Sequence, residues 1–266
     1  MASASPTTSS EAIADRFRAL RKEDRRALVC YVTAGHPDPA RSLELLRGIV
    51  AAGADIVEVG VPFSDPMADG PVIQASSQRA LEQGMTFDAT LALIADARLE
   101  RPVVLFSYLN PLLAAGPAAL QRAAAAGAAG VLVTDLPLGA DPALERRFAG
   151  GPLEYVRLVA PTTPRDRMAD IARHGSGFVY LISRLGVTGE RAQLAADLPD
   201  TIDRLRSVTT LPICVGFGIS RAAQAATVAS LADGVVVGSA IVRAADRDVG
   251  AAIELVGELR AAIDGA

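Results

Sequence analysis

Three carboxylates lie within twelve residues of one another and could act as a general acid and a general base. Glu58 interrupts a run of β-branched residues, where an unpaired charge would be costly to bury. Asp65 and Asp69 follow in a loop rich in proline and glycine. Two acids in different surroundings can have their pKa values pushed apart, so that one donates a proton and the other stays ionised. The segment therefore predicts an active site at the end of a buried strand.

Each of the three carboxylates also has a structural explanation. Glu58 could be an interior charge that pairs with a group on another strand. The Ser-Asp-Pro and Ala-Asp-Gly-Pro sequences around Asp65 and Asp69 are ordinary turn chemistry. A position at the end of a barrel strand favours the acid/base role for Glu58. Spacing alone favours Asp69 over Asp65 as a chemical group.

A second group of residues, rich in glycine and hydroxyls, predicts an anion site. It consists of Thr188 with Gly189, the segment 216–220 and the segment 238–240. Backbone N–H groups in such turns bind anions, and phosphate sites of barrels use the loops after strands seven and eight. The alternative is that these glycines only permit tight turns. No Walker-type lysine is present, so the anion is not expected to be a nucleoside triphosphate.

The sequence contains few candidate residues for other kinds of catalysis. His36 lies in a Gly-His-Pro turn and His174 precedes a glycine at a helix end, so both histidines have structural explanations. No Cys/His/Asp cluster has the spacing of metal ligands, and we predict neither a metal site nor a Ser–His–Asp triad. Lys22 is the only lysine and lies far from any strand end. That position excludes a Schiff-base aldolase.

Eight short β-branched segments must position these groups. They alternate with Ala/Leu/Arg segments of helical spacing, a pattern typical of parallel strands joined by right-handed crossovers. The predicted strands cover residues 28–32, 56–59, 103–106, 131–133, 155–159, 178–182, 213–215 and 235–237. Eight strands in 266 residues favour an α/β fold with a single (β/α)8 TIM barrel. An open doubly wound sheet would need a G-x-G-x-x-G sequence after the first strand, and residues 33–37 do not supply it.

The pattern predicts one catalytic barrel domain over residues 11–266. Residues 1–10 are uncharged and rich in Ser, Thr and Ala, which predicts a disordered N-terminal tail. An extra charged helix over residues 15–26 is expected to plug the bottom of the barrel. Two connections after strands are unusually long, 60–71 and 183–199. Loops after strands lie on the catalytic face of a barrel, where long loops are usually functional.

Composition excludes several classes of protein. The formal net charge is −4 and no Lys/Arg cluster interleaves with aromatic residues, so nucleic-acid binding is not expected. No apolar run approaches the roughly 18 residues that a membrane helix needs, and the N-terminus lacks the features of a signal peptide. Cys30 and Cys214 are the only cysteines and indicate no disulfide framework. We expect a cytoplasmic protein without membrane contact.

Eight segments, most of them directly after predicted strands, together resemble the tryptophan synthase alpha subunit family of indole-3-glycerol-phosphate lyases. They are residues 31–35, 58–71, 108–111, 135–137, 160–164, 183–189, 216–220 and 238–242. The resemblance extends from Phe17 to about Val256. Glycine motifs occur in other phosphate-binding barrels, whereas the segment after Glu58 combined with the loop at 183–189 is specific to this family.

The resemblance implies a retro-aldol cleavage of indole-3-glycerol phosphate to indole and glyceraldehyde 3-phosphate, within the last steps of tryptophan biosynthesis. Glu58 matches the acid/base of this reaction. Asp69 matches the residue that holds the indole N–H and stabilises positive charge on the ring. The matches for substrate-binding residues are Tyr31, Tyr180, Thr188, Gly189, Phe217, Gly218, Gly238 and Ser239.

The resemblance also implies a protein partner. In the family the two long loops close over substrate and touch a beta subunit that uses pyridoxal phosphate, in an alpha2beta2 heterotetramer; no cofactor is expected in this chain. Pro62, Asp65 and Asn110 lie where the family meets its partner, and Thr188 matches a loop-closing residue that contacts Asp69. Two alternatives stay open: a free-standing lyase of specialised metabolism, and a catalytically silent activator of a beta subunit.

Overall fold

Eight parallel strands close into a barrel in the computed structural model, which describes residues 12–182, 197–216 and 218–266. The strands are β1 (Ala27–Thr33), β2 (Ile56–Gly60), β3 (Val103–Ser107), β4 (Ala128–Val133), β5 (Glu154–Val159), β6 (Val179–Ile182), β7 (Ile213–Gly216) and β8 (Gly234–Val237). Each strand pairs with its sequence neighbours, and β8 pairs with β1, so the sheet has no open edge. The predicted TIM barrel and all eight of its strands are confirmed.

Helices surround the barrel and connect its strands. In the described residues they are α1 (Ala12–Lys22), α2 (Pro39–Ala51), α3 (Pro71–Glu82), α4 (Phe87–Ala97), α5 (Leu109–Ala114), α6 (Ala119–Ala125), α7 (Pro142–Ala149), α8 (Arg165–Arg173), α9 (Leu198–Arg206), α10 (Ala222–Ala229), α11 (Ser239–Arg247) and α12 (Val249–Asp264). Aspartate side chains accept N–H groups of the first turn in α2, α7 and α12. These caps and the prolines in several first turns fix where the chain turns from loop to helix.

Alternate side chains of the strands point into the barrel and out towards the helices. Val29, Ile56, Val104, Leu132, Val156 and Phe178 belong to the cluster that fills the barrel's interior. A larger cluster of strand residues packs outward against the helices, with Leu28, Val57 and Leu105 among its fully buried members. The loops that follow the strands, including 61–70, lie at the C-terminal end of the barrel.

Helix α1 covers the N-terminal end of the barrel, as predicted. The rings of Phe17 and Phe178 lie 5.9 Å apart, and Ile13 belongs to the same interior cluster. The side chain of Glu154, at the start of β5, accepts the backbone N–H of Ile13 at 2.7 Å. The helix ends at Lys22 rather than at the predicted residue 26, because Asp24 has a left-handed φ of 52° that no α-helix continues.

A buried ion network ties both ends of the described chain to the bottom of the barrel. Asp55 accepts hydrogen bonds from the backbone of Leu28 at 2.8 Å and from Arg260 of α12 at 2.9 Å. Arg16 of α1 forms a third contact with the same carboxylate. The network therefore joins α1, β1 and α12 around one residue that precedes β2.

The two predicted long loops differ in what the structure describes. The ten residues 61–70 connect β2 to α3 and are described throughout. Most of the predicted loop 183–199 lies outside the described residues, as does the predicted tail over residues 1–10. Pro199 is part of helix α9 rather than of the loop, because proline in a first turn gives up no helical hydrogen bond. In the described ranges, no helix combines the length and the apolar character needed to cross a membrane.

Candidate active site

A cleft at the C-terminal ends of the strands collects most of the predicted chemical groups. The described residues that line it are Tyr31, Glu58, Asp69, Ile73, Phe106, Tyr180, Gly218, Ile219, Gly238 and Ser239. Seven of these ten are residues that the sequence nominates. The other three, Ile73, Phe106 and Ile219, are apolar wall residues that the sequence reasoning missed, since nothing separates them from ordinary core positions.

Glu58 points into the barrel from the middle of β2, between Tyr31 of β1 and Val104 of β3. Glu58 is 1 % exposed, and neither of its carboxyl oxygens has a hydrogen-bond partner in the described part of the chain. Burial raises the pKa of Glu58 to about 8. The carboxyl group therefore carries a proton at neutral pH, as a general acid must. In the described part of the chain, no group on another strand pairs with the Glu58 carboxyl group, so these residues do not support the alternative of an interior ion pair.

Asp69 lies at the end of the 61–70 loop, one residue before the N-cap of α3. It is 6 % exposed, and Tyr108 donates a hydrogen bond from its hydroxyl to Asp69 Oδ2 at 3.0 Å. Burial raises the pKa of Asp69 to about 6, and the Tyr108 hydrogen bond partly opposes that rise. Asp69 is therefore mostly ionised at neutral pH while Glu58 is mostly protonated. The cleft thus contains two carboxyl groups in different protonation states.

Tyr108 contacts a candidate catalytic residue, Asp69, although the sequence analysis assigned it no role. Its hydroxyl accepts the backbone N–H of Ala68 at 2.9 Å while it donates to Asp69. These two bonds fasten the 61–70 loop to the end of β3. The residue lies directly after β3, where barrels place their functional groups, and it begins the segment 108–111 that carries part of the family resemblance, so the sequence offered two signals.

Two aromatic side chains form a wall of the cleft. The rings of Tyr31 and Phe106 lie 5.1 Å apart in an edge-to-face arrangement. Glycine at the end of β2 makes room for Tyr31, because a Cβ at Gly60 would overlap the tyrosine hydroxyl. Gly216 at the end of β7 makes room for Tyr180 in the same way. The two strand-end glycines therefore set where both tyrosines can lie.

The N-terminus of α11, a candidate anion cradle, lines the cleft. Gly238 is the N-cap of this helix and Ser239 its first residue, and among the described residues no side chain caps the first turn. The N–H groups of that turn are open to a ligand. At the neighbouring α10, by contrast, the side chain of Gln224 accepts the backbone N–H groups of Ser220 and Arg221. The geometry therefore favours α11 as the anion site, with Gly218 opposite it in a left-handed turn at φ 89°.

The remaining nominated residues are not part of the described cleft. Asp65, in the 61–70 loop, and Asn110, in the first turn of α5, are exposed at the same end of the barrel, whereas Pro62 is buried. Asp65 accepts a hydrogen bond from Ser64 Oγ at 2.5 Å, so it shapes its own turn. The predictions for Thr188, Gly189 and Phe217 fall on residues outside the described ranges.

The two histidines lie away from the cleft. His174 caps the end of α8, where its Nδ1 lies 2.8 Å from the carbonyl oxygen of Asp170, which agrees with the helix-end explanation. His36 is buried beside the outer surface of α3 and α11. A search of the described residues finds no group of three His, Cys, Asp or Glu side chains that could hold a metal ion.

The fold and the site together define a class of protein. It is a TIM-barrel enzyme that has paired carboxyl groups in different protonation states, an aromatic wall and a helix-terminal anion cradle on its C-terminal face. Such a site suits proton transfer on an aromatic substrate that carries a phosphate.

Comparisons with known proteins narrow this class to one family. The family model for the tryptophan synthase alpha chain matches residues 17–263. The alpha chain of Synechococcus elongatus is 46 % identical over 258 residues, covering 95 % of this chain and 97 % of the relative. That of Desulfatibacillum aliphaticivorans is 46 % identical over 234 residues, covering 87 % and 88 %. The chain belongs to the tryptophan synthase alpha chain family.

Solved structures agree with this membership. Tryptophan synthase of Mycobacterium tuberculosis contains a chain with a TM-score of 0.87 and 36 % identity, covering 94 % of this chain and 97 % of that one. The tryptophan synthase alpha subunit of Legionella pneumophila also has a TM-score of 0.87, at 34 % identity and with 96 % and 99 % covered. The family resemblance and the lyase activity predicted from the sequence are confirmed: the chain is a lyase of the kind that cleaves indole-3-glycerol phosphate.

Proposed function

We propose that Glu58 transfers the protons in the cleavage of indole-3-glycerol phosphate and that Asp69 stabilises the charge that develops on the indole ring. The observation that carries the proposal is the difference between the two carboxyl groups. Glu58 has no hydrogen-bond partner in the described chain and is neutral at pH 7, whereas Asp69 is bound by Tyr108 and ionised. One group can therefore give a proton while the other supplies negative charge.

The reaction breaks the carbon–carbon bond between C3 of the indole ring and the glycerol phosphate chain. Protonated Glu58 delivers its proton to C3, which turns the ring into a cationic leaving group. The electrons of the breaking bond then restore the aromatic ring, and indole leaves. The hydroxyl on the adjacent chain carbon becomes an aldehyde and returns a proton to the Glu58 carboxylate, so protons balance over the cycle.

The other cleft residues position the substrate. We assign the indole N–H to Asp69, whose carboxylate Tyr108 holds in place, and the indole face to the wall of Tyr31 and Phe106. Tyr180 lies beside the reacting centre. The phosphate binds at Gly238 and Ser239 of α11, with Gly218 opposite. On family resemblance we add Gly189 to the phosphate site, Thr188 as the loop-closing residue that contacts Asp69, and Phe217 to the wall of the indole pocket.

The test is indole release from indole-3-glycerol phosphate by the purified chain. Glu58→Gln is expected to lower kcat by about a thousandfold or more, because the amide cannot give up a proton. Binding of inorganic phosphate, measured by calorimetry, is expected to stay unchanged. The matched control is Asp65→Asn, which removes the exposed carboxylate of the same segment and is expected to retain full activity. Near-normal turnover by the Glu58 variant would refute its role.

We also propose that the C-terminal end of the barrel docks a tryptophan synthase beta subunit in a cytoplasmic heterotetramer. The large hydrophobic side chains exposed among the described residues are Met67, at 82 %, and Leu113, at 43 %. Both lie on loops or helices that follow β2 and β3, at the same end as Asp65 and Asn110. Exposed apolar groups rimmed by polar residues mark protein interfaces. Pyridoxal phosphate belongs to the partner in this proposal, and this chain needs no cofactor for its own step.

Measuring indole release with and without a beta subunit tests the partner. Strong stimulation supports the complex, whereas fast turnover by the chain alone supports the alternative of a free-standing lyase. No turnover in either condition would support the silent activator. Leu113→Asp is expected to abolish stimulation without changing the basal rate, because it places a charge in an apolar contact. The control Lys22→Asp changes charge at the opposite end of the barrel and is expected to have no effect.

A further inference from the structure

Asp69 is held by hydrogen bonds to both its side chain and its backbone. Tyr108 donates to Oδ2 of the carboxylate at 3.0 Å. The backbone N–H of Asp69 donates to the carbonyl oxygen of Pro66 at 3.0 Å, which closes the end of the 61–70 loop into a turn. A third bond comes from α3, where Gln74 donates from Nε2 to the carbonyl oxygen of Asp69 at 2.8 Å. This third bond joins the residue to the helix that follows it.

The bond from Gln74 differs from the usual cap of a helix start. In a capping box, a glutamine at the third helical position returns to the N–H of the N-cap residue. Gln74 is the fourth residue of α3, counted from Pro71, and its amide reaches past the N-cap Gly70 to the residue before it. The backbone N–H of Gln74 donates to the carbonyl oxygen of Gly70, as in any α-helix. The side-chain bond is therefore additional to the hydrogen bonds of the helix, and it ties α3 to Asp69.

This tie matters because Asp69 lies just outside the helix. Gly70 is the N-cap of α3, so the carbonyl group of Asp69 falls outside the series of hydrogen bonds that holds the helix together. The bond from Tyr108 fixes one carboxylate oxygen but does not act on the main chain. The amide of Gln74 holds the carbonyl group and thereby fixes the peptide plane from which the Asp69 side chain projects. The carboxylate is therefore held from the side of β3, and the main chain from the side of α3.

We propose that Gln74 is a positioning residue of the lyase, which fixes the main chain of Asp69 so that its carboxylate faces the indole N–H. The inference rests on the proposed function, in which Asp69 holds that N–H. Gln74 is not among the described residues that line the cleft, whereas Asp69 is. Its side chain lines an open groove between α3 and the 61–70 loop. Gln74 therefore acts on the substrate through Asp69 and not by contact.

Gln78 provides a matched control on the same helix. It follows Gln74 by about one helical turn, is also exposed and lines the same groove. Its amide donates to Glu82 Oε1 at 2.9 Å rather than to the 61–70 loop. Methionine at either position keeps the length and the helix propensity of the side chain and removes the amide. A comparison of the two methionine variants therefore isolates the bond to Asp69.

The test measures the affinity of the full chain for indole-3-propanol phosphate by calorimetry. This probe carries the indole ring and the phosphate but lacks the chain hydroxyls, so it is not cleaved. Gln74→Met is expected to raise its Kd by about three- to tenfold, because Asp69 must then be ordered when the probe binds. Gln74→Glu keeps the size of glutamine and also lacks the donor, so it is expected to give a similar loss. The Kd for inorganic phosphate should not change in Gln74→Met, and Gln78→Met should change neither affinity.

A double-mutant cycle separates this role from a contribution to stability. Asp69→Ala removes the carboxylate and is expected to raise the Kd for the probe by about tenfold or more, because a charge-assisted hydrogen bond is lost. In that background Gln74→Met should cause no further loss, since no carboxylate remains for Gln74 to position. Thermal unfolding verifies the fold of each variant. A purely structural contribution would lower Tm and leave the Kd of the folded protein unchanged.

Three results would each overturn the proposal. One is an unchanged Kd for the probe in folded Gln74→Met and Gln74→Glu when Asp69→Ala weakens binding, which would leave the role of Asp69 intact. Another is a loss from Gln74→Met that persists in the Asp69→Ala background or that Gln78→Met equals. The third is an unchanged Kd in Asp69→Ala, which would refute the assigned role of Asp69 as well.

Discussion

Single side chains decide what the two buried carboxyl groups can do. Glu58 has a pKa of about 8 because burial removes water and no hydrogen bond replaces it in the described chain. Burial also raises the pKa of Asp69, to about 6, and the hydrogen bond from the Tyr108 hydroxyl opposes part of that rise. The division between acid and electrostatic stabiliser therefore depends on burial and on the hydrogen bond that only Asp69 receives.

The pH dependence of kcat/KM should report both groups. The active form needs ionised Asp69 and protonated Glu58, so activity should fall below pH 6 and again above pH 8. Tyr108→Phe removes the hydrogen bond that lowers the pKa of Asp69, so the acid limb should move to higher pH. The alkaline limb should stay in place. Rate profiles from pH 5 to about 9.5 check both statements, and an unmoved acid limb would contradict the Tyr108 assignment.

Glu58 should also make the fold less stable as pH rises. Its pKa in the folded chain lies above the ordinary value of 4.5, so the protonated carboxyl stabilises the fold below pH 4.5. That contribution is lost as the pH rises towards 8. Glu58→Gln is neutral at every pH and should raise Tm by about 3 °C or more at pH 8, with a smaller rise at pH 5.

Thermal unfolding at the two pH values measures this difference. Asp65→Asn, which replaces an exposed carboxylate, is the control and should change Tm equally at both. A Glu58→Gln shift that does not depend on pH would mean that Glu58 is ionised in the folded chain.

Among the helices and strands, the C-terminal ends of β2 and β7 have the strongest steric constraint. Gly60 and Gly216 are the last residues of β2 and β7, and each leaves the space that a tyrosine hydroxyl occupies. A strand normally gains from a β-branched residue, so glycine there gives up local stability for space. The absence of a side chain at Gly60 and Gly216 therefore determines where the two tyrosines of the cleft can lie.

Gly60→Ala should displace Tyr31 and lower kcat/KM by about 10 to 100-fold, because small misplacements at a reacting centre are costly. Gly257→Ala on α12 is the control, since a Cβ there meets nothing within 4 Å. Adding Tyr31→Leu to the Gly60 variant should restore Tm without restoring activity. Steady-state kinetics and melting of the three variants decide the matter, and an active Gly60→Ala protein would show that Tyr31 has room to move.

Sequence patterns predicted the strands well and the helix ends less well. Runs such as 103–106 and 235–237 read as strands because β-branched residues suit the pleated sheet. The end of α1 was wrong by four residues because charge and helix propensity continue to Arg26, while the conformation of Asp24 stops the helix. Pro199 was assigned to a loop although a first helical turn accepts proline equally well.

Across the whole molecule, the two ends of the barrel have different tasks. The C-terminal end carries the cleft, and the N-terminal end is closed by α1 and by the ion network around Asp55. We therefore expect substitutions at the N-terminal end of the barrel to change the stability of the protein more than its activity.

Asp55→Asn should lower the free energy of unfolding by about 3 kcal/mol, because the charge of Arg260 would lose its buried partner. The kinetic constants for indole release should stay unchanged below the melting transition. Asp24→Asn removes an exposed ion pair with Arg26 and should change stability by less than about 1 kcal/mol. Urea unfolding and activity of the two variants provide the measurement; a loss of activity in folded Asp55→Asn would contradict the separation of the two ends.

The sequence predicted those site residues whose type is unusual for their position in the chain. Glu58 within an apolar strand and the glycines after β7 and β8 are conspicuous in the sequence because each breaks a local pattern. The structure places Glu58 in the middle of β2 rather than at the predicted strand end. The Tyr108–Asp69 hydrogen bond was not predictable, since it joins residues 39 positions apart that follow the paired strands β2 and β3. His36 was read as a turn residue, and only the packing of α3 and α11 shows that its ring is buried.

The anion cradle has a consequence for how the protein responds to salt. Its described lining offers peptide N–H groups and one hydroxyl, and none of the ten lining residues is a lysine or arginine. Dipoles fixed at a buried helix end have no mobile counterions to release when the phosphate arrives, unlike a patch of exposed cations. Substrate KM should therefore change little when the ionic strength is raised, which steady-state kinetics at low and high salt would measure.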